Sequence, residues 1–498
     1  MNPCWRPIGA ALILLSSQLA TTVPARAAWD HAHGDGGNSG FARVDTAPAG
    51  KPQQVVKLGI LAPGVGPVVG PSGMLYVGTI DGRLLAFQPD GTAAWNRILP
   101  GRSLASPVVG ADGSVYIASV RRTREPSGGG ERYDSTLHKF SGGGGAFWAV
   151  PVPALNAPPP ALAGWPAAVA PPSIWRSGTT EVVVMPVLYN YRTSAELRVL
   201  AFSTQSGAVV ANALVAYKAF DVTVTGPDWT PGEWLCDLRL TPTCLFKLQT
   251  PYLGGSRLQD TSWPMPGVAI AADPGGGAPL MIVSDELGQN TIAYRFDPAA
   301  GFSEAWRTHD PGRTRTSAPT VFPDLNRVVL GAKEGNGSRG RVSFAGPGVP
   351  TAHDRPVKSW VVSPPTRLPD GRIAVIEFEG QLTVFRGGVV DTTTALEGQS
   401  IASAAASCTH LFVASAGAFT TYDVNTLAQV AQIPWSGFGG RSSPIIGPAG
   451  NVYAVMHTGD RQSADRSDSL LVWPPPQRTT SIGRVGTACD GVVVGPQL

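Results

Sequence analysis

Between Trp29 and Phe41 the chain reads WDHAHGDGGNSGF, with two histidines, two aspartates and an asparagine set among glycines. His31 and His33, one residue apart, would share one face of an extended strand and, with Asp35, offer three ligands of the kind zinc or copper accepts. No fourth ligand stands nearby, so the favoured expectation is different. These polar side chains, with Trp29 and Asn38, should hydrogen-bond loop backbone where the chain enters its fold, and no metal is assigned.

Other motifs carry less. GNGSRG from Gly335 to Gly340 satisfies G-x-G-x-x-G, but the strand-like RVSF follows it instead of the helix that a dinucleotide site needs, so a hairpin loop is expected. The acidic run GDRQSADRSDS, with Asp460, Asp465 and Asp468, matches no calcium-loop spacing and is interleaved with arginines; it reads as a solvated loop. His309, Asp310, His353, Asp354 and His457 each follow an apolar strand and are the candidates for acid–base work in an axial pocket. No catalytic residue is assigned from them.

What precedes Trp29 has the three parts of a secretory signal: Arg6 in a short leader, the apolar IGAALILLSSQLA, and ARA ending at Ala27. Residues 1–27 are therefore expected to be a signal peptide, and 28–498 the exported part, periplasmic or secreted, with no transmembrane segment. Removing Arg6 and Arg26 takes the balance from 38 − 35 = +3 to 36 − 35 = +1, which points to no nucleic-acid partner. Four cysteines remain in a compartment that favours pairing, and the expected bridges are Cys236 with Cys244 and Cys408 with Cys489.

The elements that must position these residues are strands. SPVVGADGSVYIAS from Ser106 is a Pro, a short apolar strand, an Asp-Gly turn and an alternating strand, and it has counterparts at Gly66, Trp165, Met265, Ser317, Val362, Ile401 and Ser442. Each unit continues into a third strand ending in an aromatic, at Phe87, Phe140, Phe202, Phe296, Phe344, Phe385, Tyr422 and Trp473. Several add a fourth strand bearing Trp, at Trp95, Trp148 and Trp306. Four antiparallel strands repeated every 40 to 60 residues or so describe a β-propeller blade. The fold class is thus all-β, an eight-bladed β-propeller, with seven blades as the alternative. One ring takes in 28–498, with a leading segment at 28–62 that supplies the outer strand of the last blade and closes the ring, and an insertion at about 212–262.

ADGSVYIAS followed by LHKFS, GTIDGRLLAFQPDGTAAW, and the opening Trp29, Gly34, Asp35, Asn38, Ser39 and Gly40 resemble the pyrroloquinoline quinone (PQQ)-like propeller repeat family. That family includes quinone-dependent dehydrogenases and scaffold subunits of the outer-membrane β-barrel assembly machinery. The resemblance implies the propeller and leaves activity open. No adjacent cysteine pair and no haem-attachment motif is present, and the calcium ligands of the dehydrogenases map onto no motif here. The expected function is an exported, non-catalytic propeller, monomeric, binding a protein or glycan partner through its loop faces. The alternatives are a PQQ-dependent dehydrogenase of an alcohol or sugar, with PQQ and calcium as cofactors, and a propeller lyase or hydrolase. The insertion, with Trp229, Trp234, Phe246 and Tyr252 beside the Cys236–Cys244 pair, is the candidate binding surface; packing onto a blade is the equal alternative.

Overall fold

The structure, a computed structural model, describes residues 29–124, 131–155, 165–168, 170–190, 194–219, 267–285, 290–310, 313–323, 326–334, 339–437, 440–458, 467–476 and Cys489. Eight antiparallel sheets follow one another along the chain. No α-helix occurs among the described residues, and none there is long and apolar enough to cross a membrane.

Each sheet is a blade. Blade 1 runs outward through Val68–Val69, Leu75–Gly78, Arg83–Phe87 and Ala93–Ile98. Blade 2 has Val108–Val109, Val115–Arg124, Glu131–Phe140 and Ala146–Pro151. In blade 3 the innermost strand is split into Trp165–Ala167 and Ser173–Ser177, both paired with Thr180–Asn190, and Ser194–Ser203 and Val209–Ala219 follow. Blade 4 has Ala269–Ala271, Leu280–Asp285, Asn290–Asp297 and Gly301–His309. Blade 5 splits its inner edge into Arg313–Thr316 and Thr320–Phe322, then adds Arg327–Glu334, Gly340–Ala345 and His353–Val357. Blade 6 is Thr366–Arg367, Ile373–Glu377, Gln381–Arg386 and Val389–Ala395; blade 7 is Ala405–Ala406, His410–Ala414, Ala418–Asp423 and Gln429–Pro434. Blade 8 takes Ile445–Ile446, Val452–Thr458 and Ser467–Trp473 from the end of the chain and its outer strand, Gln54–Gly59, from the beginning.

That last pairing closes the ring, with Val55 opposite Leu471 and Val56 opposite Leu470. Closure leaves no blade with an unpacked face. The innermost strands touch in ring order, blade 8 to 1, 1 to 2, 2 to 3, 3 to 4, 4 to 5 and 6 to 7. The aromatic of the second strand fills the widening gap between sheets: Tyr76, Tyr116, Phe412 and Tyr453 are all buried.

Three readings of the sequence need correction. The outer strand of blade 3 extends to Ala219, so Asn212 to Ala219 belong to the blade and not to an insertion; the alternation of small and apolar residues there is that of an outer strand. Asp468 is not in a solvated loop. It sits in a strand, fully buried, where it pairs with His457 and accepts the Leu61 N–H. His309, His353 and Asp354 lie on outermost strands, with Asp310 just beyond one, so they do not converge on the ring axis as an acid–base site would require. Asp310 and Asp354 instead both receive the Arg341 guanidinium.

Candidate functional site at the ring axis

The leading segment does more than enter the fold. It crosses the ring where the innermost strands converge, meeting the blades in order. Trp29 O accepts from Val69 N of blade 1 at 2.7 Å and Asp30 O from Val109 N of blade 2 at 2.9 Å. His31 Nε2 accepts from Ile174 N of blade 3 at 3.0 Å. Gly36 O accepts from Ile270 N of blade 4 at 2.6 Å, Gly37 O from Val321 N of blade 5 at 2.9 Å, Ser39 O from Arg367 N of blade 6 at 2.8 Å, and Gly40 O from Ala406 N of blade 7 at 2.8 Å. One acceptor is thus delivered to one inner-strand N–H in each of seven consecutive blades. Those N–H groups belong to short strands whose inner edge has no further strand to pair with, so the segment satisfies donors that would otherwise be buried and unpaired.

The side chains explain how a loop holds this path. Asp35 makes an Asx turn: Oδ1 accepts from Gly37 N and Ser39 N, each at 3.0 Å, and Oδ2 from Ser39 Oγ at 2.9 Å. Asn38, with φ of 56°, occupies the left-handed region that asparagine tolerates better than most residues. Its Nδ2 donates to Pro319 O at 3.0 Å and lies 3.5 Å from Val268 O, and its own carbonyl accepts from Thr320 Oγ1. It therefore staples blades 4 and 5 together. Gly40, at φ of 61°, presses against blade 6 so closely that a Cβ would stand 3.0 Å from Thr366 Oγ1.

The two histidines do not share a ligand face. Because His31 Nε2 accepts from Ile174, its proton lies on Nδ1, which donates to Asp30 Oδ1 at 2.6 Å. His33 points to blade 7, with Nδ1 3.4 Å from Ser403 Oγ, and burial pulls its pKa down to about 4. A metal held between them would have to break both arrangements. Among the described residues no three His, Cys, Asp or Glu side chains gather as a ligand set. What remains open is a polar cleft of about 420 Å³ beside the segment, lined by Asp30, His31, Asp35, Gly36, Gly37 and Arg176.

That cleft also tests the fit of a calcium-held quinone. Calcium takes six to eight oxygen ligands. Here both Asp35 oxygens already accept hydrogen bonds, Asp30 is tied to His31, and Arg176 is paired with Glu181. The described residues at the axis do not fit the group.

Of the remaining expected residues, Cys408 and Cys489 form a disulfide with Cα atoms 5.2 Å apart, tying the end of the chain to blade 7. Cys408 lies in the turn before the second strand of that blade and not in the strand itself. Trp229, Trp234, Phe246, Tyr252, Cys236 and Cys244 lie outside the described residues, as do 1–28. The inner-strand donors escaped the sequence reading because a backbone N–H has no letter of its own. Their repeat position, the second residue of each short inner strand, was the available signal.

No family model and no curated protein matches the chain. Solved structures do. Quinohemoprotein alcohol dehydrogenase from Comamonas testosteroni matches with a TM-score of 0.57 at 11% identity, covering 92% of this chain and 82% of that one. Sqt1 from Saccharomyces cerevisiae matches with a TM-score of 0.50 at 11% identity over 87% of this chain and 100% of that one. BamB from Moraxella catarrhalis matches with a TM-score of 0.49 at 11% identity over 84% of this chain and 99% of that one. At such identities the likeness is one of architecture, and the chain has an eight-bladed β-propeller fold.

Proposed function

We propose that this chain is an exported propeller that performs no chemistry at its axis and works as a scaffold, binding a protein partner through its loop faces. The observation that carries this reading is the leading segment. It fills the meeting point of seven blades with the chain's own backbone, and its polar side chains are committed to holding that path. Function then falls to the surfaces of the ring, as it does wherever a rigid scaffold presents loops. The disulfide between Cys408 and Cys489 is consistent with an oxidising compartment.

The test compares two measurements on the exported, purified protein. Cross-linking in intact cells, followed by reciprocal purification of each captured protein, should return a stoichiometric partner. Addition of PQQ and calcium should yield neither a bound quinone absorbance nor dye-linked oxidation of alcohols or aldoses. Oxidation dependent on both additions would overturn the reading in favour of a dehydrogenase, and a glycan captured in place of a protein would correct the partner class.

A further inference from the structure

At four seams a side chain of one blade clasps a turn of the next, and at the seam of blades 4 and 5 that clasp is absent among the described residues. At the seam of blades 1 and 2, Trp95 Nε1 donates to Gly142 O at 3.0 Å, Tyr76 Oη to the same carbonyl at 3.2 Å, and Arg97 Nε to Gly144 O. Residues 141–145 form the turn between the third and fourth strands of blade 2. At the seam of blades 2 and 3, Trp148 Nε1 donates to Thr204 O, at the same turn of blade 3. Between blades 5 and 6, Arg355 Nε donates to Gly388 O at 2.7 Å, and between blades 8 and 1, Tyr453 Oη donates to Pro89 O at 2.9 Å. The rule is a side-chain donor on one blade and a turn carbonyl on the next.

Blade 4 carries the donor and finds no acceptor. Trp306 stands in its outer strand as Trp95 does in blade 1, yet Nε1 is buried with no hydrogen-bond partner among the described residues. The second-strand tyrosine is replaced as well: Ile282 faces Ala269 as Tyr76 faces Val68. The reason lies in the turn of blade 5, AGPGVPTA, which is drawn along to the end of blade 4's outer strand. Thr308 Oγ1 donates to Val349 O at 2.7 Å, His309 N to Pro350 O and Ala352 N to His309 O, each at 2.9 Å. Where the clasp would be, an apolar groove of about 380 Å³ opens, walled by Trp306, Ile282, Phe322, Pro323 and Pro347. Arg327 lies at this groove; among the described residues its guanidinium donates to Asn326 O and meets no carboxylate.

We infer that the groove between blades 4 and 5 receives an extended peptide segment of the partner protein, which supplies the missing carbonyl to Trp306 and an acidic side chain to Arg327. The seams of blades 1 and 2 and of blades 2 and 3 show what fits: a stretch of backbone with its carbonyl turned to an indole. Apolar walls select an apolar residue at that point, and the Arg327 guanidinium, which meets no carboxylate among the described residues, selects a neighbouring Asp or Glu. A buried N–H left unpaired is the strongest single reason to expect an occupant, since leaving such a donor unmet carries the full loss of its hydration. The inference rests on the scaffold reading above and locates its contact surface.

The test uses the full exported chain with indole nitrogens labelled, titrated with acetylated, amidated pentapeptides Gly-Pro-X-Asp-Gly in which X is Leu, Ile, Phe or Pro. At least one should move the Trp306 indole resonance and leave that of Trp95 in place. Trp306→Phe keeps the ring and removes the donor, and should weaken that peptide about fivefold or more. Arg327→Gln should abolish the preference for the Asp peptide over its Asn counterpart. Trp95→Phe should leave binding unchanged. The inference is overturned if none of the four shifts the Trp306 resonance by about 10 mM, or if Trp306→Phe binds the peptide as tightly as the native chain by calorimetry and Arg327→Gln keeps the preference for Asp over Asn. Should a full-length partner bind Trp306→Phe and Arg327→Gln as tightly as the native chain, the groove is not its site, and the scaffold reading stands without it.

Discussion

Replacing Asn38 tests whether the leading segment holds the ring together or merely passes through it. The side chain is buried, its amide donates to Pro319 O at 3.0 Å, and its backbone sits at φ of 56°. Asn38→Gly keeps that backbone comfortable but strips the donor from a buried carbonyl, a loss of about 1 to 3 kcal/mol. Asn38→Ala loses the same bond and adds the left-handed strain of a β-carbon, about 1 kcal/mol more. Asn38→Asp turns carboxylate oxygens toward the carbonyls of Pro319 and Val268, so it should be the worst of the three at pH 7.5. It should also recover on acidification, because the protonated acid can donate to Pro319 O. Urea unfolding followed by tryptophan fluorescence reads the series. A glycine variant as stable as the native chain, or an aspartate variant no worse than alanine at pH 7.5, would refute the claim that this amide staples blades 4 and 5.

Three further outcomes follow from the same geometry. Cys408→Ser with Cys489→Ser opens a bridge with a sequence separation of 81; chain entropy alone predicts a loss of up to about 4.5 kcal/mol, read as a lower urea midpoint, and if both thiols of the native protein alkylate without a reductant the bridge is wrong. Burial lowers the pKa of His33 and of His138 from 6.5 to about 4, so the unfolded chain binds more protons across that window. Stability should be full above about pH 6.5, fall as pH drops toward 4 and then level off, by at most about 3 kcal/mol per histidine. His138→Gln, which can keep the bond to Ser119 Oγ, should flatten that slope, and an unchanged slope in urea titrations would contradict the assignment. Leu58, buried at 2% exposure in the closing strand, should cost about 2 to 4 kcal/mol as Leu58→Ala; a drop near zero would mean that the ring does not depend on its N-terminal strand.

Much of this architecture was legible in the letters. A short apolar strand, a turn and an alternating strand recur eight times, with Asp-Gly or Pro-Ser-Gly in the turns of three units, because turn chemistry and the two-residue period of a strand are local properties that each blade must encode for itself. The pairing of Cys408 with Cys489 was likewise readable, since few thiols were available and the compartment favours oxidation. The ring's seams and axis were not readable. WDHAHGDGGNSG has the composition of a metal site, and only the arrival of seven inner strands around it converts those residues into acceptors for backbone N–H groups. Asp468 stands in a run of charged letters, yet pairing with His457 across a strand and receiving Leu61 from the opposite end of the chain makes it a buried partner. Trp95 and Trp306 are the same letter at the same repeat position. One is satisfied by Gly142 and the other has no partner among the described residues, because the neighbouring blade's turn was drawn elsewhere by Thr308 and His309. A repeat specifies its own hydrogen bonds along the strand; which donors remain unmet depends on what the adjacent blade brings, and that is decided only when the ring closes.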